Sequence, residues 1–361
     1  MRYAVGPRGA SQRTRLTARA KPGETKSNVV SYVRILAGVG ALFGSAAGCS
    51  GGTSFAETGG PRYAALEHAP TTSPEESRAA RASHAIQTVF IILMENHNWR
   101  QIKGSASAPF INGTLLQIGA HAENYFNAPS VHPSESNYIW MEAGDSLGIA
   151  DDAAPATNFR TTKKHLTSLL EGADVSWKSY QEGISGTDCP LTPQGLYDPK
   201  HNAVLYFDDM TDGRSSASPK CIAHVRPFTE LARDLNDDTV AAYNFITPNL
   251  CNDMHNGSGC PRADAIKNGD DWLGAELPNI LHSAAYARGG AVFVTWDESD
   301  GPDAPIGMLV LSPFAIPGYE TSAHYTHSAL LRTVQEIFAV QPFLRNAAES
   351  PNLSSFFKTY P

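Results

Sequence analysis

Gln87-Thr88-Val89-Phe90-Ile91-Ile92-Leu93-Met94, followed at once by Glu95-Asn96, is the stretch that decides the fold. A near-continuous apolar run of this length has the pattern of a strand buried on both faces, which parallel sheets require. Similar runs recur at Tyr243–Thr247, Ala291–Trp296 and Met308–Leu311. Helical spacing of apolar residues lies between and after them, at Ala108–Ile118, Lys163–Leu170, Phe228–Leu235, Trp272–Ala285 and Ser328–Val340. Buried strands alternating with helices predict an α/β fold: a mostly parallel sheet flanked by helices, in a single catalytic domain over residues 83–361. No internal repeat or second domain is evident, and Thr187–Lys220 reads as a loop-rich insertion.

Ligands of such sheets collect at the carboxyl ends of the strands. Polar residues stand at those ends here: Glu95-Asn96 after the first run, Asn249 to His255 after the second, and Asp297-Glu298 after the third. One acidic pair after a strand is an ordinary turn. Two such pairs at equivalent positions must be metal-bound, protonated or in mutual repulsion. Oxygen-rich sets of this kind suit divalent cations, of an identity the residues do not specify. Asp253 and His255 add a carboxylate and an imidazole, and His327 opens the last helix. His97, His121, His165, His201, His224 and His282 read as structural or merely exposed.

A second focus is His132-Pro133-Ser134-Glu135-Ser136-Asn137-Tyr138. A proline-stiffened turn runs into a helix there, so Ser134 sits near free N–H groups and the positive dipole end. That position serves a phosphate, or a hydroxyl that attacks one. The ordinary alternative is a simple N-cap.

The first 49 residues stand apart. Eight basic residues face one acid, and an apolar run from Val33 ends in Ser45-Ala46-Ala47-Gly48-Cys49. This is the layout of a secretory signal, and Cys49 resembles a lipobox cysteine. Residues 50–82, rich in Ser, Thr, Gly, Pro and Glu, read as a flexible tether. The whole chain has a net charge of −8; beyond residue 48 it keeps 20 basic against 35 acidic residues, a net of −15. So acidic an export product is a poor partner for nucleic acid. Its only expected link to a membrane is the lipid anchor. Cys189, Cys221, Cys251 and Cys260 suggest two disulfides; three pairings are open, and proximity favours Cys189–Cys221 with Cys251–Cys260.

M-E-N (94–96), S-A-P-F-I-N (107–112), H-P-S-E-S-N-Y (132–138), N-D-M-H-N-G-S (252–258), G-D-D-W-L (269–273), T-W-D-E-S-D-G (295–301) and H-S-A-L-L-R-T-V-Q-E-I-F (327–338) occur in this order. Together they resemble the bacterial phosphoesterase family of secreted acid phosphatases and phosphatidylcholine-type phospholipases C. The resemblance spans roughly Thr88 to Val340 and implies an alkaline-phosphatase-like fold. It also implies a divalent metal held by Glu95, Asn96, Asp253, Asp297 and Glu298, and Ser134 as nucleophile. His255 and His327 match positions that hold a second metal or contact the phosphate and leaving group, with His132 and Asn137 beside the substrate. In two places the chain departs from the family pattern. Ser136 replaces a usual proline, which would loosen the turn, and Asn256 replaces a usual aspartate.

The chemistry implied is attack by an activated Ser134 on phosphorus, giving a phosphoserine that water hydrolyses, with a histidine protonating the departing oxygen. The expected substrate is a phosphorylated small molecule or phospholipid, and the expected product location is exported, lipid-anchored or secreted. The chain is short beside the phospholipases C, which favours a phosphomonoesterase over a phosphodiesterase. A non-catalytic surface lipoprotein is the third reading, opposed by the intact Ser134, Asp297 and Glu298. Asp145-Ser146 offers another nucleophile but reads as a cap at a helix exit, and no G-x-S-x-G elbow is present.

Overall fold

A computed structural model describes residues 73–361. The signal and lipobox expected in residues 1–49, and the tether as far as residue 72, lie outside the described residues.

Among the described residues there are ten strands: β1 (Thr88–Met94), β2 (Ala120–Ala122), β3 (Tyr125–Phe126), β4 (Trp177–Gln181), β5 (Val225–Pro227), β6 (Tyr243–Thr247), β7 (Gly290–Trp296), β8 (Met308–Leu311), β9 (Glu320–Thr321) and β10 (Tyr325–Thr326). Eight form one sheet in the order β5-β4-β6-β1-β7-β8-β2-β9. From β5 to β7 every pairing is parallel; only β8 runs against its neighbours. The central strands β1 and β7 are buried along almost their whole length, as two-faced burial demands. The four apolar runs are therefore all strands. The strands that escape the apolar pattern are β4, with its polar W-K-S-Y-Q, and the short β2, β5 and β9.

Helices flank the sheet in two groups. Ser134–Ala143 packs on His327–Ile337 and on Leu166–Gly172, while Ala265–Leu281 packs on Leu231–Asn236 and Ala284–Ala287. The expected helix at Ala108–Ile118 is a π-helical turn, Ile111–Leu115, running into Leu116–Ile118. Asp270 explains where it starts. Its buried carboxylate accepts from the amides of Phe110 (3.0 Å) and Ile111 (2.9 Å), answering free N–H groups and the dipole end together.

The last part of the expected tether is a correction. Pro74–Arg81 is a helix, opened by Ser73 and Glu76 in a capping box. The helix is fastened to the domain: Ser77 Oγ donates to the Ala339 carbonyl, and Arg81 donates to the carbonyls of Phe338 and Ala173. Local caps and these ties outweigh the disorder-promoting composition. The insertion at 187–220 is also better packed than its composition suggests, with Ala203–Phe207 buried. Disulfides join Cys189 to Cys221 and Cys251 to Cys260.

Two predictions concern this framework. Asp270→Ala leaves two amides without an acceptor and should lower stability by roughly 2–3 kcal/mol, read as a shift of the urea midpoint. His165 is buried between Glu142 (2.9 Å) and Asp209 (3.1 Å), stacked on Phe207. Burial alone would lower its pKa, but the bonds and charges of Asp209 and Glu142 raise it overall. A raised folded-state pKa gives stability that is full below about 6.5 and is lost as pH rises through the folded value. The stability deficit of His165→Gln against the parent chain should thus be larger at about pH 5.5 than at about pH 8.5.

Candidate active site

The register of the two central strands builds the site. Met94 pairs with Trp296, so Glu95 and Asp297 leave adjacent strands at the same level. Asp253 joins them from the loop after β6, whose main chain is pinned when the Glu95 amide donates to the Asp253 carbonyl at 2.7 Å. Glu95, Asp253 and Asp297 show no solvent exposure at all. Burial first, then mutual repulsion, pushes Glu95 well above the usual carboxylate range; burial does the same to Asp253 and raises Asp297. Asp297 Oδ1 accepts from the amides of Asn96 (2.9 Å) and Glu298 (2.7 Å), which offset part of that cost.

Ser134 is the first residue of the Ser134–Ala143 helix, and Pro133 is its cap. The hydroxyl is therefore not spent on capping. It donates to Glu95 Oε2 at 3.1 Å and also faces Asp297. The sequence-based juxtaposition of the hydroxyl with carboxylates from an early and a late strand is present. The helix terminus itself differs from expectation, because the Glu135 amide is taken by Asp152 Oδ1 at 3.0 Å. Ser136 does not loosen the turn. Its hydroxyl donates to the Ile149 carbonyl, and its amide bonds Pro133, a bond that proline could not make.

The expected metal ligands divide into two layers. Glu95, Asp253 and Asp297 form the inner one. Asn96 and Glu298 lie outside it and bond each other at 2.7 Å. Glu298 Oε2 also receives His132 (2.6 Å) and Asn137 (3.2 Å), while His132 reaches Asp303 with its other nitrogen. Burial, with Asp297 next to it, pushes Glu298 up to about 7. Asn137 also donates to the Val131 carbonyl, so it braces the loop that carries His132.

The two predicted histidines part company. His255 is exposed at the rim, with its amide on Asp253 Oδ1 and its Nδ1 near the Asn256 carbonyl. His327 is fully buried. Its Nε2–H donates to the Asp297 carbonyl at 2.6 Å, so its Nδ1 accepts from the Tyr125 hydroxyl at 3.2 Å. Burial lowers its pKa to about 4. A neutral ring with both nitrogens engaged holds Asp297 in place; of the two histidines the sequence offers for the leaving-group proton, His255 is the exposed one.

His201, one of the histidines the sequence marks as structural, lies in the centre. Its Nε2 lies 3.0 Å from Glu95 Oε1 and its Nδ1 3.5 Å from Asp253 Oδ2, with the ring stacked on Tyr138. Burial, then Lys200 and His255, drives its pKa well below normal, so the imidazole is neutral. It comes from a short turn in the insertion, Pro199–His201, where no spacing signal marks it.

Whether this cluster suits a cation can be judged from its own atoms. Glu95 Oε1, Asp253 Oδ2, Asp297 Oδ2 and His201 Nε2 are buried and make no hydrogen bond. Three buried carboxylates with a neutral imidazole and unused oxygens are costly alone and fit a divalent ion.

Fold and cluster together define an α/β protein with a carboxylate-lined centre at the carboxyl edge of its sheet. The chain belongs to the Phosphoesterase family, whose profile matches residues 107–341. It is a hydrolase acting on phosphoric ester bonds. The phosphatidylinositol-3-phosphatase of Mycobacterium tuberculosis is 28% identical over 287 residues, 79% of this chain and 87% of that one. A phosphate-repressible acid phosphatase of Penicillium chrysogenum is 26% identical over 230 residues, 61% of this chain but only 52% of the fungal protein. An alkaline phosphatase superfamily protein from Vibrio parahaemolyticus superposes with a TM-score of 0.48 at 12% identity, covering 73% of this chain and 69% of that one. At that score the likeness adds nothing to what the sheet order shows.

If His327 acts by holding Asp297, His327→Ala should lower kcat on a phosphate monoester by about 10–100-fold with little change in KM. An unchanged kcat would separate Asp297 from its neighbour's function.

Proposed function

We propose that the chain is an exported, metal-dependent phosphomonoesterase of acid phosphatase type that works through a phosphoserine on Ser134. The observation that carries this reading is the Ser134 hydroxyl 3.1 Å from a buried carboxylate that has no basic side chain in direct contact other than neutral His201. Glu95, Asp253, Asp297 and His201 would hold the cation, with Asn96 and Glu298 next to them. When bound, a divalent ion supplies Lewis-acid stabilisation of negative charge and makes a nearby hydroxyl more acidic.

The protein's own groups do the rest. Ser134 directs its proton at Glu95 Oε2, leaving a lone pair free for phosphorus. The new bond is Ser134 Oγ–P; the ester P–O bond breaks, and the departing oxygen takes a proton from exposed His255. Glu95 keeps the Ser134 proton while the phosphoserine stands; water then attacks phosphorus and gives a proton to the His255 left neutral by the first step, the Oγ–P bond breaks, and Ser134 takes its proton back from Glu95. His132, half-buried and tied to Glu298 and Asp303, would contact the phosphate on this reading. His327 keeps the Asp297 backbone fixed throughout.

The substrate on this reading is a phosphorylated small molecule or phospholipid headgroup, supported by relatives named as acid phosphatases and as a phosphatidylinositol-3-phosphatase. Export is supported by the two disulfides. Among the described residues no helix is long and apolar enough to cross a membrane. Lipid at Cys49 is the attachment this reading includes.

Purified protein supplied with divalent metal should release p-nitrophenol from p-nitrophenyl phosphate, and Ser134→Ala should abolish this. Chelation should remove the activity and added metal restore it. Undiminished turnover by Ser134→Ala would sink the phosphoserine route, and activity confined to bis(p-nitrophenyl) phosphate would make the enzyme a diesterase.

A further inference from the structure

A second cluster of ligand-type side chains lies away from Ser134, at the β9 edge of the sheet. His121 and Glu320 are register partners across β2 and β9, and Glu123 follows His121 by two residues on the same side of the chain. Pairing therefore brings one imidazole and two carboxylates together. A ring nitrogen of His121 and one oxygen from each carboxylate all lie within 4.8 Å of one another. His121 Nε2 is 2.9 Å from Glu123 Oε1 and 3.2 Å from Glu320 Oε2.

The state of His121 is what sets this cluster apart from a surface ion pair. The residue is only 4% exposed, it aims into the two carboxylates, and neither ring nitrogen makes a hydrogen bond of sound geometry. Buried imidazoles ordinarily satisfy both nitrogens. Lys103 Nζ now bridges the same oxygens, at 2.6 Å from Glu123 Oε1 and 2.9 Å from Glu320 Oε2. One ammonium offsets one of two negative charges, whereas a divalent ion would offset both. Lys103 and Glu123 also line a groove of about 440 Å³, together with Asn98, Trp99 and Pro305. The groove gives an ion a way in, gives a water room beside it, and gives the flexible lysine stem somewhere to go.

We propose that His121, Glu123 and Glu320 form a zinc site at this edge, with Lys103 as the cation that stands in when zinc is absent. One imidazole nitrogen and two carboxylate oxygens are a donor set for zinc, while calcium takes six to eight oxygens. The site shares no residue with the Ser134 centre. Its structural effect would be to clasp the two-residue strand β9 to β2, closing an edge that has little pairing of its own.

The test is a count of zinc equivalents by calorimetry on the full chain after chelation and dialysis. The parent chain should bind one equivalent more than Glu320→Gln, a near-isosteric change at an exposed position. Lys103→Met, which removes the competing cation, should keep that equivalent and bind it about tenfold more tightly. Equal counts for the parent and Glu320→Gln overturn the proposal, as does a Lys103→Met protein that binds no tighter. Because the count is a difference, it holds whether or not the Ser134 centre also takes zinc.

Discussion

The parallel pairing of β1 with β7 is the constraint on which the rest depends. Register places Met94 beside Trp296, and the next residues, Glu95 and Asp297, must then share one fully buried spot at the sheet edge. Carboxylates out of water lose hydration, so burial raises both groups, and the neighbouring acids raise Glu95 further. Much of the surrounding architecture can be understood as managing that cost. The amides of Asn96 and Glu298 point at Asp297, the Ser134 hydroxyl points at Glu95, and His327 fixes the Asp297 carbonyl from below. None of these supplies a full positive charge.

The second level of organisation is the loop after β6. Asp253 adds a third buried carboxylate, and its neighbours are restrained by the Cys251–Cys260 disulfide and by the amide of His255 on Asp253 Oδ1. Gly269 belongs to this arrangement too. A Cβ there would lie 2.3 Å from the Met254 side chain, so the absence of a side chain on the Ala265–Leu281 helix lets the loop close over the site. The next residue, Asp270, turns away to hold Phe110 and Ile111. Gly269 and Asp270 of the G-D-D-W-L motif are thereby explained as packing and anchoring.

What the sequence made legible follows from physics that acts locally. Strands buried on both faces must be apolar throughout, so β1, β6, β7 and β8 were readable, and so were the acids that follow β1 and β7 without a spacer. A half-polar strand such as β4 carries no such signature, because its neighbours β5 and β6 dictate its conformation. His201 was unreadable for a related reason. Its role depends on where the insertion folds back, and Pro199–His201 has no periodic partner in the sequence. His121 is similar, since its meaning arises only when β9 pairs with β2. Ser136 could be recognised as a departure from the family pattern, but only the fold shows that its hydroxyl and amide replace the stiffness of proline with two bonds.

His255 and His327 show why side-chain type alone does not assign chemistry. His327 is sealed, neutral and doubly bonded, so moving a proton through it would break the contact that positions Asp297. His255 is exposed, and its ring reaches to within 6.0 Å of the His201 ring that lies against the carboxylates. A group that must meet a departing oxygen has to be reachable from solvent, since the alcohol leaves by that route. A group that must hold a buried carboxylate steady has to be unreachable. On the reading proposed above, burial would divide the labour between these residues more decisively than their identical imidazoles do.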